Sequence, residues 1–339
     1  MTTRRDFLKT ALIAGAAWPR FQEWGQGGRG RMRAPIDASQ IPPYRTKIIP
    51  MDRWTALKAD FEKVRQGDGL SRHKLFRASL EALDFGLPAD FKDARSVVVA
   101  ATFAKSATAD FRHNGQSHRI LVPFQYYEDE WTPEKLKSVI QADLLKEPGR
   151  KLSDISKRVP LKYLAGRSGL GRFGRNNLIF VDGMGSYNLL HAFVTDAKPA
   201  ADPDVELEIL DECRHCHMCD RICPTSCLSR TNFIVDAGRC LTLFNENSGD
   251  FPNIFLPSMH HVLMGCLKCQ SACPENSRIP ELTATLEGVS EEETKAILKG
   301  TPSEALKQSL KKRLRLFPAV KPADFGPILK RNLGALIRA

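Results

Sequence analysis

Cys213-Arg214-His215-Cys216-His217-Met218-Cys219-Asp220-Arg221-Ile222-Cys223-Pro224 is the stretch that decides how this chain is read. A second run answers it: Cys266-Leu267-Lys268-Cys269-Gln270-Ser271-Ala272-Cys273-Pro274, with Cys240 upstream across 25 intervening residues. Short x2 spacings let one tight loop offer three thiolates to one corner-sharing iron–sulfur cube. The cysteine three residues further on, before proline, reaches the other cube. On this reading one [4Fe–4S] cluster takes Cys213, Cys216, Cys219 and the distant Cys273. The other takes Cys240, Cys266, Cys269 and the distant Cys223. Cys227 is left over and reads as a small buried residue.

The competing metal is zinc, since paired C-x2-C units build zinc ribbons. Zinc needs neither eight cysteines in crossed order nor a proline after each terminal cysteine. His215 and His217 read as solvent-facing loop residues. All nine cysteines fall between Cys213 and Cys273. A secreted, disulfide-stapled chain spreads its cysteines across the core instead.

The composition is ordinary for a globular protein: 42% apolar and 26% charged residues in 339. Its net charge of +11 sits at the two ends. Residues 1–34 hold seven Lys/Arg against two acids, and residues 301–339 hold nine against two, which leaves −1 for the 266 residues between. A nucleic-acid enzyme usually spreads basic residues along a binding face. The tail Lys311-Lys312-Arg313-Leu314-Arg315 reads instead as a solvated helix face, and a nucleic-acid partner is not expected.

Residues 1–17 open with Thr3-Arg4-Arg5-Asp6-Phe7-Leu8-Lys9 and continue into the apolar run Ala11–Ala17, which resembles a twin-arginine export signal. The run is far short of the ~20 residues that span a bilayer. The expectation is export in folded form by the twin-arginine machinery to the periplasm or the outer face of the membrane, with no transmembrane span. Residues 18–45, rich in Gly, Arg and Pro, read as a flexible linker.

Arg95–Phe103 reads as a buried strand and Trp131–Leu145 as an amphipathic helix opened by Thr132-Pro133-Glu134. Together they predict an α+β domain over 46–205. A two-cluster ferredoxin-like domain over 206–278 and a basic helical segment over 279–339 follow, the latter started by Ser290-Glu291-Glu292-Glu293. Gly169-Leu170-Gly171-Arg172-Phe173-Gly174 matches G-x-G-x-x-G, but a helix precedes it and a strand follows, the reverse of a dinucleotide site. Its glycines serve turns or the approach of backbone to a flat cofactor. Asp110, Arg112, His113 and His118 read as a polar surface loop.

The run Leu164–Asn177, then Gly185-Ser186, then the crossed cysteines resembles the epoxyqueuosine reductases and their relatives, the corrinoid reductive dehalogenases, over roughly residues 90–280. The resemblance implies a nitroreductase-like α+β domain holding cobalamin without a protein ligand to cobalt. Gly169, Gly171, Gly174, Asn176, Asn177, Gly185 and Ser186 would then lie against the corrin. One cluster would receive electrons from an external donor and the other would pass them on. Epoxyqueuosine reductases carry an Asp-Tyr-His segment whose aspartate donates a proton; this chain has Pro123-Phe124-Gln125-Tyr126-Tyr127-Glu128-Asp129 instead. Tyr126 or Tyr127 is therefore the expected proton donor, as in dehalogenases. The export signal turns the expected substrate from tRNA to a small molecule. An exported, corrinoid-dependent reductase is the first reading. A two-cluster electron carrier without corrinoid and a tRNA-acting epoxyqueuosine reductase are the alternatives.

Overall fold

The computed structural model describes residues 34–338, apart from 68, 129, 148, 230–234, 281 and 317–321. The twin-arginine stretch and most of the linker lie outside the described residues, as does Asp129.

Among the described residues nine strands are placed: β1 (Tyr44–Pro50), β2 (Ser96–Phe103), β3 (Ser106–His113), β4 (Gln116–Val122), β5 (Leu152–Asp154), β6 (Arg172–Phe173), β7 (Ile179–Phe180), β8 (Asn188–Thr195) and β9 (Thr283–Thr285). The main sheet runs β1-β2-β8-β5, and every pair in it is antiparallel. The unalternating Val97-Val98-Val99-Ala100-Ala101 is explained by its place in the middle of this sheet. Val97, Val99 and Ala101 face a core with Trp54, Leu57 and Phe61 of the helix Trp54–Gln66 and Leu164 of the helix Leu161–Arg167. Val98 and Ala100 face the other side, against Leu136 and Ile140 of the helix Pro133–Asp143. Thr132 starts that helix, its Oγ1 accepting from the Lys135 N–H at 3.1 Å with Pro133 in the first turn. The sheet is covered on both faces, so strict alternation has no reason to appear.

Residues 106–122 are not a loop. They form the β3–β4 hairpin, closed by Asn114 and Gly115 with φ of +50° and +72°. Two successive positive φ values match the twist of a hairpin, and Asn-Gly takes them at low cost. Asp110 and Arg119 stand opposite each other across the strands and pair at 3.1 Å on the exposed face. The other edge of β3 takes β9 in parallel register.

The residues after 279 share a core with this hairpin. Ser290 caps the helix Glu291–Lys299 in a full capping box with Glu293, and the helix stops at Gly300, φ +82°. With the helices Glu304–Arg313 and Pro322–Arg338 it buries Ile297, Leu310, Phe325 and Leu333 against Phe111, Val122 and Tyr127. The change of sequence pattern at 279 is thus not a break in packing.

One consequence for stability lies in β8. His191 is buried against Thr102, its Nε2 3.4 Å from the hydroxyl, and burial holds its imidazole down to about 4. The unfolded imidazole titrates near ~6.5, so the unfolded chain takes the proton first. Its contribution is complete above that pH and is lost as pH falls toward 4, amounting to roughly 2–3 kcal/mol. Urea midpoints measured across this window should drop less steeply in His191→Gln than in wild type.

Candidate functional site

Four of the cysteines gather around the first motif. Cys213 is buried on the short turn Asp211–Arg214, and Cys219 sits in the helix Met218–Ile222. Cys273, sixty residues along the chain, packs with Cys213 on Phe180 and Leu210. Burial pushes the Cys213 thiol up to about 12; the Arg175 N–H draws it back, while Cys273, Cys219 and Cys216 push it further. Burial also raises Cys219, to about 11, with Asp220 and Cys273 adding to it. His217 turns to Asp220, with Nδ1 3.1 Å from the carboxylate, whereas His215 is exposed.

A second group holds Cys223, Cys240, Cys266 and Cys269. Burial lifts Cys266 to about 11, and Cys240 and Cys223 add to it. Burial raises Cys269 well above the ordinary thiol range, with Cys266 and Cys240 next in effect. Cys227 belongs here as well, buried, with its Sγ 3.4 Å from that of Cys223. The hydrogen bond with Cys227 holds the Cys223 thiol down to about 5, and the same contact pushes Cys227 far up. Cys219 of the first group shares an apolar cluster with Cys223, Cys240 and Cys269, so the two groups adjoin. Buried thiols of high pKa bind metal only as thiolates and release their protons when they do. Among the described residues no three His, Cys, Asp or Glu side chains converge as they would on a single ion. Thiols ringing a larger body stand further apart than zinc requires.

The glycine run brackets both groups. Arg175 is buried; its N–H lies 3.4 Å from the Cys213 sulfur, its Nε donates to the Cys216 carbonyl at 3.0 Å and its Nη2 to the Cys213 carbonyl at 2.8 Å. The Asn176 amide reaches the Cys269 carbonyl at 3.5 Å. Ser186 is buried and held by Asn276, whose Nδ2 also donates to the Gln270 carbonyl at 2.9 Å. Arg175 lay inside the run Leu164–Asn177 without a role of its own, and Asn276 was not singled out; an arginine and an asparagine at such positions carry no spacing signal.

Contacts within the chain give three of the glycines a reason of their own. A Cβ on Gly171 would stand 2.6 Å from Ile179 Cγ2 and 2.7 Å from the Phe180 carbonyl oxygen. On Gly174 it would stand 2.5 Å from the Phe180 ring, and on Gly185 2.5 Å from Asn276 Oδ1. The chain itself fills the space that these glycines leave, through the β6–β7 hairpin and Asn276. The set is also divided. Gly169, Gly171 and Gly185 line a cavity of about 370 Å³, while Asn176 and Asn177 line a larger one of about 720 Å³. The residues named for cobalamin do not make one cradle for it, and no step is routed through it.

The larger cavity is where chemistry converges. Cys223, Cys227, Cys240, Cys266 and Cys269 open onto it, as do Tyr126, Lys162 and Glu246. The Tyr126 hydroxyl donates a short hydrogen bond to the Glu246 carboxylate. Burial lifts the Tyr126 phenol well above its ordinary range, and Glu246 adds to the effect; burial raises Glu246 too. Lys162 donates to both oxygens of Asn177, at 3.0 and 2.9 Å. Burial pulls its ammonium down, while Cys240 and Cys269 oppose that. Tyr127 points elsewhere: it is fully buried in the β3–β4 core and donates to the Lys105 carbonyl at 2.5 Å. Of the two tyrosines only Tyr126 reaches the cavity. Glu246 was not foreseen, because it lies 120 residues from its partner with no motif around it.

Comparison with known proteins agrees with this geometry. Residues 212–276 match the 4Fe-4S double cluster binding domain. The chain is similar to epoxyqueuosine reductase of Aliivibrio fischeri, 35% identical over 121 residues, covering 35% of this chain and 31% of that one. It is 25% identical to the Staphylococcus aureus enzyme over 204 residues, 59% of this chain and 49% of that one. It therefore spans between a third and a half of these relatives. A crystal structure of selenomethionine-labelled epoxyqueuosine reductase superposes with a TM-score of 0.59 at 20% identity, over 86% of this chain and 77% of that one. An epoxyqueuosine reductase solved with an epoxyqueuosine-modified tRNA-Tyr stem loop gives 0.58 at 20% identity, over 88% and 78%.

These findings overturn two expectations, a dehalogenase-like reaction on a small molecule and the absence of a nucleic-acid partner. The similar proteins are epoxyqueuosine reductases, and one of them is solved with a tRNA stem loop. Residues 212–276 of this chain are a 4Fe-4S double cluster binding domain, set within the mixed α/β fold of the epoxyqueuosine reductases.

Proposed function

We propose that this chain is a reductase of the epoxyqueuosine reductase type, which draws electrons from an external donor through two [4Fe–4S] clusters and acts on a modified base in tRNA. The observation that carries it is the cavity itself, where four of the thiols and the buried Tyr126–Glu246 pair face one space. Cys213, Cys216, Cys219 and Cys273 hold one cluster; Cys223, Cys240, Cys266 and Cys269 hold the other. When bound, the clusters would supply single electrons.

The chain's own residues do the rest. Met218 and Ile222, 43% and 44% exposed beside the first group, give a donor protein an apolar contact. Tyr126 holds a proton at the cavity wall, and Glu246 fixes where its hydroxyl points. Arg175 and Asn276 hold the cysteine loops in place. The basic tail takes on a role that its sequence alone did not assign. The Glu128 N–H donates to the Arg315 carbonyl at 2.6 Å, so the Lys311–Arg315 stretch adjoins the segment that carries Tyr126. Positive charge on this stretch favours a phosphate backbone.

The test is direct. The full chain, reconstituted anaerobically and supplied with reductant, is incubated with a tRNA stem loop bearing epoxyqueuosine, and digested nucleosides are followed by mass spectrometry. Consumption of that nucleoside supports the reading; an untouched nucleoside while the clusters cycle between oxidation states overturns it. Location gives a second test, because tRNA is a cytoplasmic substrate. Fractionation of cells making wild type and Arg4→Lys/Arg5→Lys should find a cytoplasmic pool in both. A wild type found only outside the cytoplasm would rule out the tRNA substrate.

A further inference from the structure

The second thiol group contains one cysteine too many. A cubane takes one thiolate for each of its four irons, and Cys223, Cys240, Cys266 and Cys269 supply them under the pairing above. Cys227 remains; it packs with Leu228 and Val235 as a core cysteine would, but its sulfur also reaches those of Cys223 and Cys240. It is 6% exposed, lines the large cavity, and places its Sγ 3.4 Å from Cys223 Sγ. Its backbone is fixed, since its carbonyl accepts from the Asp236 N–H at 2.9 Å four residues before Cys240. Thr225 approaches the same Cys223 sulfur, with its hydroxyl at 3.6 Å. The Cys223 sulfur therefore lies within hydrogen-bond reach of a thiol and a hydroxyl at the cavity wall.

We propose that Cys227 is a positioning residue for the cavity-side cluster: it remains a thiol, donates an S–H hydrogen bond to the ligand sulfur of Cys223, and raises that cluster's reduction potential. A thiol is a weak donor, and a metal-bound thiolate is the acceptor that suits it. Hydrogen bonds to cluster sulfurs withdraw electron density from the iron and favour the reduced state. The two clusters are thereby set at different potentials, with the cavity-side one made the better acceptor. Electrons are thus drawn from the first group toward the cavity. The inference rests on the thiol pairing and not on the substrate.

The experiment is an anaerobic redox titration of the reconstituted full chain, monitored by electron paramagnetic resonance, with iron counted in the same samples. Cys227→Ala should keep the wild-type iron content and shift one of the two midpoint potentials to a more negative value, leaving the other in place. Cys227→Ser, which restores a donor at the same position, should return that potential toward wild type. Four outcomes overturn the proposal: neither potential moves, the shift is positive, Cys227→Ser falls as far as Cys227→Ala, or Cys227→Ala loses iron. The last would make Cys227 a ligand and would break the pairing itself. The first three would leave the pairing intact.

Discussion

Cys273→Ala is expected to remove one cluster and keep the other, with iron falling to about half, since each of the two clusters holds four irons. The informative part is which cluster goes. Cys273 belongs by sequence to the second motif, but it packs with Cys213. Its loss should therefore reproduce the spectrum and iron content of Cys213→Ala, not those of Cys266→Ala. The reciprocal exchange holds for Cys223, which lies by sequence in the first motif and in space beside Cys240 and Cys266. Cys223→Ala should match Cys266→Ala. An uncrossed arrangement predicts the opposite pairing, so four iron counts with four spectra decide between them. The stability cost adds to the chemical one, because a metal held by buried thiols stabilises the folded state directly.

The second large effect separates two neighbouring tyrosines. Tyr126→Phe removes the only tyrosine hydroxyl that lines the larger cavity and leaves Glu246 without its buried partner. Turnover on the tRNA stem loop should fall by ~10²–10⁴, the range for loss of a positioned proton donor. Iron content should stay at wild type. Tyr127→Phe removes the bond to the Lys105 carbonyl in the hairpin core. It should cost about 1 kcal/mol of stability and leave turnover within a few-fold. Equal losses of turnover in the two variants would show that the segment acts through its packing rather than through a proton. Glu246→Gln keeps a partner for the phenol and should fall between them.

What was readable in the sequence divides by range. The cysteine spacing is local chemistry, and it named the eight thiols that the structure gathers into two groups. Helix starts were readable for the same reason: Thr132-Pro133 and Ser290–Glu293 cap their own helices within one turn. The β3–β4 hairpin carried its signal in Asn114-Gly115 and was missed because the charged residues around it drew the reading toward a loop. The choice between Tyr126 and Tyr127 was not readable at all. Tyr126 closes the turn that begins at Pro123 and Tyr127 makes a single bridge to Leu316, and only the tertiary partners, Glu246 for one and the Lys105 carbonyl for the other, show which of them meets the cavity. The glycines misled for a related reason. Their need for space has a source within the chain, since Phe180, Ile179 and Asn276 crowd Gly171, Gly174 and Gly185.

The measurement that bears most directly on the central claim is anomalous diffraction at the iron edge from anaerobically grown crystals of the full chain. The account predicts two iron peaks, one ringed by Cys213, Cys216, Cys219 and Cys273 and the other by Cys223, Cys240, Cys266 and Cys269, the second opening on the cavity that holds Tyr126. A single peak, or two peaks each ringed by the cysteines of one motif alone, would contradict it.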